Sequence, residues 1–272
     1  QLIGVYPRGS GKYEFNNQQS ALVSLGMFGG NTGYTEGTYE TREKIYAEHE
    51  YWTKGYLHFL QSDPRVPKHL REETAPFGYA KDEFVHNDNF PYYLYIREAS
   101  RMISALVQTQ HDVYVNRTKE DAVFLGSHWV DCHHVQRIAI SDSTFINEGR
   151  IWEIVHKPFE ISYRTLVPKK EKCQNLIVPV CASFSHVGYC AYRLESTWMQ
   201  AGHVAGIAVK MALNEHKPLQ DLNISNLQNE LRKEGIIHKN KNLEPYDDYN
   251  WMVDHERYGE IYDRMYPDNN NL

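Results

Sequence analysis

The stretch Asn175 to Leu213, NLIVPVCASFSHVGYCAYRLESTWMQAGHVAGIAVKMAL, constrains this chain more than any other. Its pattern predicts a buried strand over Leu176–Val180, a polar loop holding His186 and Arg193, and a helix over Thr197–Glu215 with almost no polar face. Ala201, Gly202, Ala205, Gly206 and Ala208 cluster at helical spacing. Nothing larger than a methyl group stands on that part of the helix, so another backbone or a flat ring can approach it closely.

Size and charge narrow what surrounds this segment. The 272 residues suffice for a substantial core in one large domain or two. Apolar residues at 41% and charged ones at 24% are ordinary for a soluble globular chain. No run of about 18 apolar residues occurs, so no membrane span is expected. The net charge of −6 is carried by the tail Glu244–Leu272, which holds eight Asp/Glu against two Lys/Arg. Such a balance argues against a nucleic-acid partner, since phosphate binding needs a basic surface. Cys132, Cys173, Cys181 and Cys190 show no CxxC spacing and are too sparse for a disulfide scaffold. The start, QLIGVYPRGSGKY, has neither Met nor a signal-peptide pattern, which predicts an origin inside a longer polypeptide.

Along the chain, residues 1 to 40 read as irregular, Gly- and Tyr-rich, with one apolar run, Ala21 to Phe28. Thr41–Ser62 reads as a helix whose apolar stripe is Ile45, Trp52 and Phe59, widened by Tyr56 and Leu60, and Asp63-Pro64 stops it. A short helix is predicted at Lys68–Thr74 and a second amphipathic one at Tyr95–Gln108. Residues 121 to 140 and 150 to 163 read as strands, with Asn147-Glu-Gly149 at a turn. Ser225-Asn-Leu-Gln228 fits a capping box for a helix ending at Gly235. The tail interleaves aromatics with acids and reads as an extended arm pinned by its rings.

A dinucleotide site of Rossmann type needs GxGxxG directly after a strand. The nearest candidate, Gly26-Met-Phe-Gly29-Gly30-Asn-Thr-Gly33, has the wrong spacing and reads as a glycine loop. Other blocks do match a known pattern: Tyr56–Pro67 (YLHFLQSDPRVP), Lys81–Phe84 with Tyr95–Met102 (YIREASRM), Gly126–Gln136 (GSHWVDCHHVQ), Ile161–Pro168 (ISYRTLVP), and the closing segment quoted first. In this order they resemble FAD-dependent oxidoreductases of the succinate dehydrogenase/fumarate reductase-like superfamily, over roughly residues 15 to 240. Two positions depart from that pattern: Cys132 stands where a serine is usual and Tyr192 where a small residue is usual.

The resemblance implies an α/β (mixed α+β) fold with FAD as cofactor. It implies a substrate-binding region at 1–165, a returning strand and helix of a Rossmann-like FAD domain at 166–240, and an acidic, aromatic arm at 241–272. It places Ser185, His186, Arg193, Glu195 and Gly202 beside the isoalloxazine ring. It makes His133 or His134 the proton carrier and Arg193 or Arg164 the holder of an anion. On a strand, the two adjacent histidines face opposite sides, so at most one serves the site. The bland alternatives are a buried ion pair for Arg193, a surface position for Arg164 and structural roles for the histidines. Hydride transfer between flavin and a small organic substrate is the expected activity. The nucleotide-gripping half is expected from an N-terminal chain or segment whose strands pair with an edge left open here. Two competing readings are a non-catalytic interaction protein that retains the fold, and a zinc hydrolase assembled from Asp131, His133, His134 and His186. HExxH spacing is missing, so no metal is expected.

Overall fold

The structure is a computed structural model and describes residues 4–7, 11–16, 25–155 and 157–239. The aromatic arm at 241–272 and positions 21–24 of the early apolar run lie outside the described residues. The chain forms two compact units that interleave in sequence: Gln1–Arg97 with His133–Arg150, and Glu98–Cys132 with Ile151–Leu272.

The first unit holds an antiparallel hairpin, β1 (Gly4–Pro7) with β2 (Tyr13–Asn16), then the long helix α1 (Tyr39–Ser62) and the short α2 (Lys68–Thr74). Thr38 caps α1 by accepting the Thr41 amide at 3.3 Å. Gln61 near its end donates to the carbonyls of Thr74 and Phe77, which ties α2 to α1. The buried stripe of α1 is Ile45, Tyr56 and Leu60, while Trp52 is exposed and Phe59 only half-buried. This corrects the seven-residue stripe. On a helix of 3.6 residues per turn, Tyr56 and Leu60 lie about 20° and 60° to one side of Ile45, whereas Trp52 and Phe59 lie about 20° and 40° to the other. A second hairpin, β5 (Gln136–Ser141) with β6 (Thr144–Glu148), closes this unit. The turn expected at Asn147–Gly149 is confined to Gly149, at φ +87°, because Asn147 and Glu148 belong to β6.

The second unit contains the main core. Strand β3 (Ala122–Gly126) pairs antiparallel with β8 (Phe159–Ser162), and β4 (Val130–Cys132) with β7 (Ile151–Glu153). Around them lie α3 (Gln110–Tyr114), α4 (His186–Tyr192), α5 (Glu195–Glu215) and α6 (Ile224–Lys233). Phe124, Phe159, Ile161, Tyr163, Leu166, Tyr192, Leu227 and Leu231 are fully buried. Apolar burial on this scale stabilises by about 1.5–3 kcal/mol per large side chain. Asn223, rather than the foreseen Ser225, caps α6 by accepting the Asn226 amide at 3.0 Å.

The architecture is mixed α/β, built among the described residues from two-stranded antiparallel sheets. Three expectations change. Residues 95–108 are not helical. The Met102 amide donates to the Cys181 carbonyl and the Gln108 amide to that of Ser183, so tertiary hydrogen bonds hold the segment extended beside 181–184. Residues 176–180 do not form a sheet strand either; the Val178 amide bonds the Leu166 carbonyl in a loop. The predicted polar loop at 186–193 is largely the helix α4. On the β3–β8 sheet, some edge groups are already engaged by side chains. Gln108 donates to the Glu160 carbonyl at 3.0 Å and accepts the Ser162 amide at 2.9 Å, while Gln228 donates to the carbonyls of Glu120 and Ala122. Side-chain amides thus satisfy backbone groups that an added strand would need at those positions.

Candidate functional site

Ser162 ends β8 and opens a single turn of 3-10 helix, Tyr163–Thr165. That turn presents Arg164, whose Nε and Nη2 reach the two oxygens of Asp121 at 2.8 and 3.3 Å. The Ser162 hydroxyl bonds the same carboxylate. Burial alone would raise the pKa of Asp121; Arg164 and Ser162 outweigh it and hold the carboxyl below its usual range. One edge of the Arg164 guanidinium is therefore fixed, and the side chain is still 53% exposed.

Arg193 is different. It follows α4 directly and is 2% exposed. Its Nη2 bonds both the carbonyl and the carboxylate of Asp131 at 2.9 Å, and its Nε bonds the same carbonyl at 3.2 Å. Asp131 lies in β4, so this arginine fastens the end of α4 to a strand. The acid it pairs with is Asp131; Glu195, the neighbour considered from sequence, is exposed at the first turn of α5.

The start of α4 gathers further chemistry. Ser185 caps it, accepting the Gly188 amide at 3.2 Å. His186 is the first helical residue and Cys190 lies one turn on, so both project to one side. There they meet Cys132, the last residue of β4, and Glu98. His186 Nε2 bonds a Glu98 oxygen. Cys132 Sγ lies 3.4 Å from His186 Nε2 and 3.6 Å from Glu98 Oε1, and Cys190 Sγ lies 3.3 Å from the same oxygen. Both thiols are buried and neither is part of a disulfide. Their mutual hydrogen bond splits them, lowering the pKa of Cys132 and, with burial and Glu98, pushing that of Cys190 far up. Sequence reading missed this group because it took α4 for a loop, which hid the i, i+4 relation of His186 and Cys190.

Helix α5 packs on β3 and α6 through Ala201, Val204, Ala205, Ala208 and Ala212. The alanines expected to face a ring are thus covered by this chain's own core. The glycines are not. A Cβ built on Gly202 or Gly206 would meet nothing within 4 Å. With Met199, Val209 and Leu213, all exposed, they form a stripe at alternating three- and four-residue steps beside the buried face. His133 and His134 lie in the connection after β4, not on a strand, and belong to the first unit, where the His134 ring sits 6.4 Å from that of Phe28. The other predicted site residues belong to the second unit. Asp131 is engaged by Arg193, and the tetrad Asp131, His133, His134 and His186 of the competing zinc reading does not come together within either unit.

The open Gly202–Gly206 face fits the flat side of a flavin ring. The pyrophosphate finds no such cradle. Residues 26–37 run as consecutive turns with Gly29 and Gly33 at positive φ, and among the described residues no glycine turn joins a strand directly to a helix. The family model described as FAD dependent oxidoreductase matches residues 4–231. A search of the curated proteins finds no match, and a search of the solved structures finds none either. The family match covers most of the chain and brings with it FAD as cofactor and oxidation–reduction as the general chemistry. The chain belongs to the FAD dependent oxidoreductase family.

Proposed function

We propose that this chain is the carboxy-terminal part of an FAD-dependent oxidoreductase of the succinate dehydrogenase/fumarate reductase-like type, acting on a small organic substrate. The single observation that carries this reading is the uncovered glycine stripe of α5 in a chain of that family. A flavin, when bound, supplies a ring that exchanges a hydride with the substrate. The nucleotide-binding part comes from polypeptide outside these residues and meets α5 at Gly202 and Gly206.

Arg164 holds an anionic substrate group, since one edge of its guanidinium is fixed by Asp121 and the side chain stays accessible. Arg193 acts as a positioning residue: locked to Asp131, it sets the approach of α4 and the first turn of α5. Ser185, His186 and Glu195 then border the ring, with the Ser185 hydroxyl hydrogen still able to donate. His133 or His134 moves the substrate proton.

The test is Gly202→Leu in the protein purified with its companion polypeptide. The exchange places a better helix former at a position open to solvent, so circular dichroism should show an unchanged fold. The wild type should carry bound FAD and the yellow absorption of oxidised flavin, and the variant should lose both. A colourless wild-type assembly, or a variant with full flavin content, overturns the reading.

A further inference from the structure

We propose that Glu98, Cys132, His186 and Cys190 form a binding site for a single zinc ion. This inference is separate from the flavin reading and would stand without it.

One potential ligand atom from each residue, two sulfurs, an imidazole nitrogen and a carboxylate oxygen, lies within 4.8 Å of all the others. The residues come from four places in the second unit: a loop, the end of β4 and two successive turns of α4. Hydrogen bonding explains individual pairs. It does not explain the convergence of all four atoms on one point. A tetrahedral zinc ion does: with Zn–S bonds of about 2.3 Å and Zn–N or Zn–O bonds of about 2.0–2.2 Å, neighbouring ligand atoms stand about 3.3–3.8 Å apart. Three of the separations, 3.3, 3.4 and 3.6 Å, fall in that range, while His186 Nε2 and Glu98 stand closer as a hydrogen-bonded pair that an ion would part.

The donor set decides which ion. Two sulfurs and an imidazole suit a borderline-soft ion and disfavour magnesium or calcium, which take oxygen. Four protein ligands make a closed site of the structural kind. Its effect would be to join the carboxyl end of β4, the first turns of α4 and the chain at Glu98. Cys132 and Cys190 are buried, whereas His186 and Glu98 are partly exposed, so the ion can enter from the side of the latter two.

Elemental analysis of the full chain, purified without chelator, should find one zinc per molecule. After reduction and metal removal, cobalt should restore a tetrahedral visible spectrum with thiolate-to-cobalt charge-transfer bands. Cys190→Ser should lose one thiolate's share of those bands. Because that residue is buried and its variant could unfold, Glu98→Gln and His186→Gln at the partly exposed corner provide the second arm. Both should keep the far-ultraviolet dichroism of the wild type, bind cobalt more weakly and shift its bands. Zinc should also protect both thiols from alkylation. No charge-transfer band in reduced protein, with alkylation indifferent to zinc, overturns the proposal. So does a Cys132–Cys190 disulfide in protein as purified that persists when zinc is supplied during expression. None of these readouts depends on flavin content.

Discussion

At the scale of single residues, the two arginines expected to handle anions turn out to have different jobs. Arg193 is buried with its charge neutralised by Asp131, and Arg164 is half in water. Removing one partner of a buried pair leaves the other uncompensated, at a cost of about 3–5 kcal/mol, whereas an exposed pair contributes about 0–1 kcal/mol. Arg193→Ala should therefore lower unfolding stability by about 3 kcal/mol or more in urea titrations, and Arg164→Ala by less, because water and Ser162 still reach the buried Asp121 carboxylate. Equal losses would undo this distinction. Nothing in the sequence separates the two, because the deciding acids, Asp131 and Asp121, lie 62 and 43 residues upstream. Cys132 was visible as a departure from the family pattern. Its partners were not, since Glu98 and Cys190 have no spacing relative to it that any ligand motif prescribes.

At the scale of elements, the long helices and the short α2 were legible, and α3 and α4 were not. Helices α1 and α5 announce themselves by many turns of periodic apolar residues, and α2 by its flanking prolines, Pro67 and Pro76. Helix α4 has only seven residues and depends on what it touches. A Cβ at Gly188 would stand 2.9 Å from the Gln108 carbonyl oxygen and 3.1 Å from the Thr109 carbonyl carbon. These are backbone atoms that cannot easily yield. Gly188→Ala should lift α4 off the 108–109 segment, lower the melting temperature and raise alkylation of Cys190; a variant as stable as wild type would show that the approach is loose. Gln108 offers the complementary case. It is fully buried, and its amide serves both Glu160 and Ser162 of β8. Gln108→Leu keeps the volume but strands two backbone groups, each costing about 1–3 kcal/mol. A loss below about 1 kcal/mol would mean that the strand finds other partners. The same contacts explain why 95–108 misled: its apolar spacing suits a helix, but its amides are taken by 181 and 183.

For the whole molecule, pH is the lever that several buried groups share. Burial depresses the pKa of His128 and His238, so both take up a proton less readily in the folded state than in the unfolded one. Unfolded histidine titrates near about 6.5 and aspartate near about 3.9. Below about pH 6.5 the unfolded chain therefore binds more protons than the folded one, and stability falls as pH falls. Asp121, also depressed, adds a second loss. Its contribution is complete above about pH 3.9 and disappears as pH drops through its lower folded value. Denaturant midpoints should decline in two stages between neutrality and strong acid, and replacing both histidines by glutamine should flatten the first stage. A midpoint constant from pH 7.5 to about 5 would contradict the assignment. At this scale the sequence revealed the family through ordered blocks. It did not reveal that the stretch from His133 to Arg150 compacts with the chain before residue 98, because that depends on tertiary contact and leaves no local pattern.

This interleaving has a practical consequence. The backbone passes from one unit to the other at 97/98, back at 132/133 and out again at 150/151. No single cleavage can separate the two, and a shortened version ending at either early junction would strip a hairpin from the unit it was meant to preserve. To isolate the leading unit, a protein engineer would have to splice residue 97 to residue 133 and delete everything past 150; the trailing unit would need the reverse graft, joining 132 to 151.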